Sequence, residues 1–166
     1  MRRAVLAALL ALSLSSEAVP NAEAQEAPTD YLPDEAAIPD GYELQGELAT
    51  RDGQGQTVEK WYVHDGNESD LRLIAVTAAS ASVARSICDR AGERLRDDDF
   101  DVQPAVVGGR LGIVAERRIG LSYERATFVT SGLACLGVRI SGEEDRLSER
   151  PEAPILRSMA IKGRAA

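Results

Sequence analysis

One amphipathic helix set between strand-like segments is the feature that most limits the folds open to this chain. Residues 82–96 carry apolar side chains at helical spacing, with charged side chains on the opposite face. Ser80 or Ser82 supplies an N-cap ahead of the first turn. A helix of this kind buries its apolar stripe against another element, so the flanking segments decide the fold class.

The segments on both sides of the helix have the two-residue period of β-strands. Tyr42, Leu44 and Leu48 alternate with polar residues, which predicts a strand with these three side chains on its half-buried face. The run 71–79, LRLIAVTAA, is mostly apolar at both its odd and its even positions. It therefore predicts a central strand covered on two sides. Further strands are predicted at 57–64, 110–118, 123–130 and 133–141.

The last hairpin allows its register to be written down. Ser131-Gly132 is a two-residue turn signal, which pairs Phe128 with Cys135 and places both on one face. Both faces are apolar, so the sheet needs cover on two sides, and a second helix is predicted at 152–159. The predicted fold class is α+β, a three-layer sandwich in which a mainly antiparallel sheet is covered by one helix on each face.

The N-terminus has the layout of a secretory signal peptide. Arg2 and Arg3 precede a short apolar run, and Ala22-Glu23-Ala24 offers a small-x-small cleavage pattern, so residues 1–24 are predicted to be removed. The apolar run has about eleven residues where a membrane span needs about 20, so no transmembrane segment is expected after cleavage. Arginine outnumbers lysine 17 to 2, the usage of a GC-rich bacterial genome, and in a Gram-negative envelope the expected compartment is the periplasm.

An exported chain meets oxidising conditions, and this bears on its two cysteines. Cys88 lies on the helix stripe and Cys135 lies in a strand, 47 positions later, so a disulfide is predicted to tie the helix to the sheet. Two separate buried thiols are the alternative.

Residues 25–40 form an arm ahead of the domain, which is predicted to span residues 41–166. The segment QEAPTDYLPDEAAIPD contains three prolines and has no hydrophobic period, so it is either disordered or held to the domain surface by Tyr31, Leu32 and Ile38.

Acidity is concentrated near this arm. The formal net charge is -8, which argues against nucleic acid as a partner, and residues 25–50 hold seven acidic residues and no basic one. The acidic candidates for contact with a basic partner are Glu26, Asp30, Asp34 and Glu35.

The sequence contains no pattern of a catalytic centre. His64 is the single histidine, which excludes His-based triads and multi-histidine metal sites, and no G-x-S-x-G elbow occurs. No catalytic residue, metal site or cofactor is predicted.

The stretch 97–109 keeps two alternatives open. Acidic residues and then Pro104 follow the helix, so a connection without a strand is predicted here. A cleft between Asp97 and Gly109 would suit a small ligand or a hydrolase. A cation-binding envelope protein would use the carboxylates of Asp97, Asp98, Asp99 and Asp101.

Trp61 and Tyr62 are the candidate interface aromatics. They are adjacent on a predicted strand, so they point to opposite faces of the sheet. At most one enters the core with its neighbours, and the other is either an exposed anchor or is buried beneath the N-terminal arm.

Two segments resemble a known group of secreted proteins. YERATFVTSGLACLGVRIS is similar to the strand, glycine turn, strand unit of the PsbP-like and LpqN-like α/β sandwiches, and ILRSMAIKG is similar to their closing helix and tail. The resemblance covers residues 41–163. Members of the group include assembly and accessory factors of membrane complexes and cell-envelope proteins, which implies binding more than catalysis. The secretory signal, the predicted disulfide, the missing catalytic pattern and the acidic arm make the leading hypothesis a non-catalytic periplasmic domain that binds a protein partner in the cell envelope, as an accessory, assembly or inhibitor-like factor.

Overall fold

The elements of the chain follow one another in an order that builds one sheet. The computed structural model describes residues 27–52, 55–66, 69–143 and 151–162, so the predicted signal peptide lies outside them. After two 3-10 turns at Pro28–Tyr31 and Glu35–Ala37 come β1 (Tyr42–Asp52), β2 (Gly55–His64), β3 (Asp70–Ala78), α1 (Ala81–Asp97), β4 (Asp101–Val107), β5 (Arg110–Ile119), β6 (Ser122–Ser131), β7 (Ala134–Glu143) and α2 (Glu152–Lys162).

The strands form a sheet in the order β1-β2-β3-β7-β6-β5-β4, and every neighbouring pair is antiparallel. β1 to β3 form one meander and β4 to β7 form a second. α1 connects the two, since it leads from β3 in the middle of the sheet to β4 at its edge. The predicted α+β class with an antiparallel sheet is confirmed.

The helix α1 is capped and anchored as the sequence predicts. The Ser80 hydroxyl accepts a hydrogen bond from the Val83 N–H at 3.3 Å. Cys88 and Cys135 form a disulfide, with their Cα atoms 5.6 Å apart, so the predicted disulfide is confirmed. The side of the sheet that carries Cys135 therefore lies against α1, and it is called the Cys135 face below.

Two buried clusters contain different helices. Leu136 follows Cys135 and so points to the opposite side, called the Leu136 face. It belongs to a large buried cluster with the apolar side chains of α2, which are Ile155, Leu156 and Met159. Leu95 of α1 belongs to a second, smaller cluster with Phe100, Ala115 and Ala126.

The described part of the N-terminal arm is built into the large cluster. Tyr31 is 1% exposed and Leu32 is also buried there, while Ile38 packs against the cluster from its edge. Of the two alternatives for the arm, the one in which these residues hold it to the domain is the one observed.

A β-bulge in β1 contradicts the prediction that Leu44 and Leu48 share one half-buried face. The pairing with β2 shifts between Leu44 and Gly46, so Leu44 lies opposite Tyr62 while Gly46 lies opposite Trp61. One extra residue reverses the alternation. The two leucines therefore point to opposite faces, and both are about half exposed.

The strand β4 is absent from the sequence-based prediction. Its seven residues pair with β5 in a regular register, with Pro104 opposite Ile113. Proline is tolerated because β4 is an edge strand, where a missing N–H leaves no neighbour unpaired. The stretch 97–109 is thus a helix end, an edge strand and a turn.

The register predicted for the last hairpin is wrong by two residues. Its turn is Gly132-Leu133, where Gly132 has a φ of 57°, a conformation that glycine adopts without strain. Phe128 pairs with Gly137 instead of Cys135. Because a shift of two preserves the alternation, Phe128 and Cys135 still share one face.

Candidate functional site

The Cys135 face is wider than the helix that lies on it. Strands are about 4.8 Å apart, so seven of them span about 29 Å, whereas an α-helix is about 10 Å wide. α1 packs mainly over β6 and β7 and also touches β3, β4 and β5, so this face of β1 and β2 extends beyond the helix. The strip over β1, β2 and β3 is called the open flank, and its side chains include Leu48, Thr57, Glu59, Trp61, Arg72 and Ile74.

Trp61 is the aromatic side chain of the open flank. It is 36% exposed, and Leu48, on the same face of the neighbouring strand, is 53% exposed. The indole lies over Gly46, its cross-strand partner, so closely that a Cβ at position 46 would collide with the ring. Glycine at this position therefore lets the indole lie against the strand while one side stays open to solvent.

A groove of about 390 Å³ runs between α1 and the open flank. Its sheet side is formed by Thr57, Ile74, Val76, Phe128 and Cys135. Its helix side is formed by Ile87, Ala91 and Leu95, together with the two guanidinium side chains Arg90 and Arg94. Among the described residues, no carboxylate lines this groove. The groove is thus apolar at its base and basic on its helix side.

Ion pairs continue across the rest of the Cys135 face. Arg72 lies 3.3 Å from Glu59 on the neighbouring strand. Glu124 accepts hydrogen bonds from Arg139 and, at 2.9 Å, from Arg117. Burial raises the pKa of Glu124, but the hydrogen bonds and charges of the two arginines outweigh burial and lower it below its usual range. Glu124 is thus held as a carboxylate that neutralises part of the basic charge on this face.

Arg117 also closes the end of α1. It donates a hydrogen bond to the Asp98 carbonyl at 2.8 Å, and its guanidinium lies 4.4 Å from the centroid of the Phe100 ring. A cation at this position complements the negative end of the helix dipole. These contacts hold the C-terminal end of α1 against the sheet.

The predicted interface residues do not come together in the fold. Trp61 lies on the Cys135 face, whereas Tyr62 is 6% exposed in the cluster beneath the arm. Burial raises the pKa of Tyr62, and the nearby carboxylates of Glu35 and Glu47 raise it further. Asp30, Asp34 and Glu35 are exposed on the arm, and Glu26 lies outside the described residues. The arm packs with Tyr62, so its acids are on the side of the sheet opposite Trp61.

The stretch 97–109, near which the alternative hypothesis places a cleft, contributes one residue to a groove of the Cys135 face. A second groove, of about 630 Å³, lies on the other side of α1, and Pro104 is the residue of this stretch that lines it. The Asp101 carboxylate accepts a hydrogen bond from Gln103 at 2.9 Å. Within the part of the chain that the structure describes, no three His, Cys, Asp or Glu side chains are grouped so as to hold a metal ion.

Sequence reasoning missed two parts of this surface, Leu48 and the pair Arg90 and Arg94. The period-two pattern puts Leu48 on the same face as Leu44, because a bulge leaves no mark in such a pattern. The arginines occur at positions i and i+4, which could have indicated one side of the helix, although such spacing is common on solvent-exposed faces.

Comparisons with known proteins identify no relative of the chain. No family model, curated protein or solved structure matches the chain. Over the described residues, neither helix has the length and apolar character that crossing a membrane requires.

Proposed function

We propose that this chain is a non-catalytic domain of the periplasm that binds a protein partner of the cell envelope through the open flank. The observation that carries the proposal is the exposure of Trp61 next to Leu48 on an uncovered part of the sheet. Tryptophan is among the residues most enriched at the energetic centres of protein interfaces. Its indole already lies against the backbone of Gly46, so less side-chain entropy is lost on binding than for a freely rotating side chain.

The chemistry of the open flank suits a protein surface. Apolar side chains at its centre are bordered by the Arg72–Glu59 pair and by the basic side of α1. An apolar centre with a polar rim is the usual arrangement of a specific interface, which buries about 800 Å² on each partner. The flank is three strands wide, about 10 Å between its outer strands, and its strands of nine to eleven residues are about 30 to 36 Å long, so it can supply the centre of such an interface.

The disulfide and the predicted signal peptide also support this assignment. A disulfide between Cys88 and Cys135 is the kind of bond that persists in oxidising compartments. Together with the predicted signal peptide at residues 1–24, it supports a periplasmic location. The resemblance to PsbP-like and LpqN-like secreted proteins points toward the same role, because accessory and assembly factors act by binding.

We also infer that the two helices cover opposite faces of the sheet, which makes the fold a three-layer sandwich. The support is the neighbouring pair Cys135 and Leu136, since one is bonded to α1 and the other clusters with α2. Methyl NOEs from Ile155 to Val138 are expected, and NOEs from Ile155 to Ile113 would contradict this arrangement.

Site-specific crosslinking tests the proposed function. A photoreactive amino acid replaces Leu48 on the open flank or Leu44 on the opposite face of the same strand, and cells are irradiated intact. We expect a discrete adduct from position 48 and none from position 44, which is matched in strand and exposure. Adding Trp61→Ala is expected to remove the adduct. Equal adducts from both positions, or none from either, would contradict binding through the open flank.

A further inference from the structure

The groove beside α1 has the length of a short peptide segment. Ile87 and Leu95 mark its extent along the helix, and eight steps of 1.5 Å between them give about 12 Å. An extended chain rises about 3.3 Å per residue, so the groove accommodates about four residues. Its depth is set by α1, which the disulfide at Cys88 holds against the sheet.

The strands beneath the groove limit how a segment can bind there. β2 and β3 are both paired on their two sides, so their backbone groups are already used in the sheet. A bound segment therefore cannot extend the sheet and must be recognised through its side chains. The base of the groove offers Ile74, Val76 and Phe128 to apolar side chains.

The charge of the groove selects the polar part of the segment. Arg90 and Arg94 are one helical turn apart on the helix side of the groove, and no carboxylate among the described residues lines it. This basic strip is notable in a chain whose net charge is -8. Guanidinium groups favour carboxylates because they donate paired hydrogen bonds to both oxygens.

From these three observations we propose that the groove binds a short linear segment of the partner in which one or two acidic residues alternate with aliphatic or aromatic ones. Apolar side chains of the segment enter the base of the groove, and its carboxylates meet Arg94 and Arg90. The inference rests on the proposed function, since it names the chemistry of the partner that the open flank receives.

A displayed library of random heptapeptides tests this directly. The oxidised chain is immobilised without its predicted signal peptide, and bound peptides are sequenced. We expect enrichment of Asp or Glu within two positions of Leu, Ile, Val or Phe. An enriched peptide, synthesised and measured by fluorescence anisotropy, is expected to lose about tenfold in affinity with Arg94→Glu, which corresponds to about 1.4 kcal/mol.

Arg85→Glu is the matched control. Arg85 is exposed on α1 but lines the groove on the other side of the helix, so its substitution changes the net charge equally without touching the proposed site. Affinity within about twofold of the unsubstituted chain is expected. Enrichment of basic or uncharged peptides, or equal losses with both substitutions, would overturn the inference.

The outcomes separate this inference from the proposed function. If Leu48 crosslinks to a partner while the library yields no acidic peptides, the open flank binds protein and the acidic segment is wrong. If acidic peptides bind through Arg94 while Leu48 gives no adduct, the groove binds acidic segments as inferred, and binding of a partner through the rest of the open flank is contradicted. Sedimentation could also show a dimer that Arg94→Glu dissociates. The groove would then bind a second copy of the chain, and the inference would be overturned.

Discussion

Glu124 on β6 accepts a hydrogen bond from Arg139 on β7, which lies diagonally across the strand pair. With the second hydrogen bond from Arg117, this contact keeps the pKa of Glu124 below the ordinary value of 4.5, although burial alone would raise it. Because the folded-state pKa is the lower one, the network stabilises the fold fully above the unfolded pKa. That stabilisation is lost as the pH falls through the folded pKa.

Replacing this carboxylate is therefore expected to have an effect that depends on pH. Glu124→Gln should lower the free energy of unfolding by about 1 kcal/mol at neutral pH, a modest value because the guanidinium groups are partly exposed. The difference from the original chain should shrink as the pH falls below 4.5. Urea unfolding at a series of pH values measures it, with Glu93→Gln at an exposed position of α1 as the control. A difference that stays constant with pH would contradict the assignment.

The second prediction concerns the attachment of α2. Glu152 is 4% exposed and lies 3.3 Å from Arg125 of β6, which also lies 3.1 Å from Glu116. Glu152→Ala is expected to lower the free energy of unfolding by about 2 kcal/mol, less than for a lone buried pair because Glu116 remains. Arg125→Leu combined with Glu152→Leu should recover most of the loss, since no buried charge is left unpaired. A double variant less stable than Glu152→Ala would contradict this explanation.

The third prediction tests whether the N-terminal arm is a structural part of the domain. Tyr31 is 1% exposed, so Tyr31→Ala should lower the free energy of unfolding by about 3 kcal/mol. Thr29→Ala, two positions earlier at an exposed site, should change it by less than about 0.5 kcal/mol. Denaturant midpoints compare the two variants. Similar midpoints would mean that the arm contributes little to the stability of the fold.

The fourth prediction uses the fluorescence of Trp61, the single tryptophan. Gly46→Ala places a Cβ where the indole lies, so the ring is expected to move outward and acrylamide to quench it more strongly. A stability loss of about 1 kcal/mol should accompany the change. Thr50→Ala, on the same face of β1 but away from the ring, should leave the quenching unchanged. Unchanged quenching in Gly46→Ala would contradict the position of the indole against Gly46.

The fifth prediction concerns the disulfide. The bond between Cys88 and Cys135 joins residues 47 positions apart, and its removal should lower the free energy of unfolding by about 4 kcal/mol. Cys88→Ala with Cys135→Ala, compared with the oxidised chain in urea, measures the effect. Intact mass after alkylation without reductant should show no modified thiol. Two modified thiols would contradict the bond.

The sequence predicted the helix, most strands and the disulfide because each depends on local spacing. Cys88 falls on the apolar stripe of α1, and Cys135 falls in a strand-like run that follows a turn signal. The bulge in β1 was not predictable, since one extra residue changes the face of Leu48 without changing its neighbours in sequence. β4 was missed because Pro104 is a loop signal everywhere except at a sheet edge.

The candidate site was predictable only in part. Adjacency on a strand implied that Trp61 and Tyr62 take opposite faces, which holds, but which one is exposed depends on where the arm packs. The groove beside Arg94 arises from the width of the sheet relative to one helix. The width of the sheet is set by the number of strands that pair. This is a tertiary property, and no local sequence pattern encodes it.

The two edge strands of the sheet affect how readily copies of the chain associate with one another at high concentration. Edge strands offer unpaired N–H and C=O groups on which another chain can align, and this is a common first step of aggregation. Here β1 is interrupted by its bulge and β4 by Pro104, which has no N–H to offer. Neither edge presents a long regular row of partners. At high concentration the chain is therefore expected to have little tendency to form intermolecular β-structure.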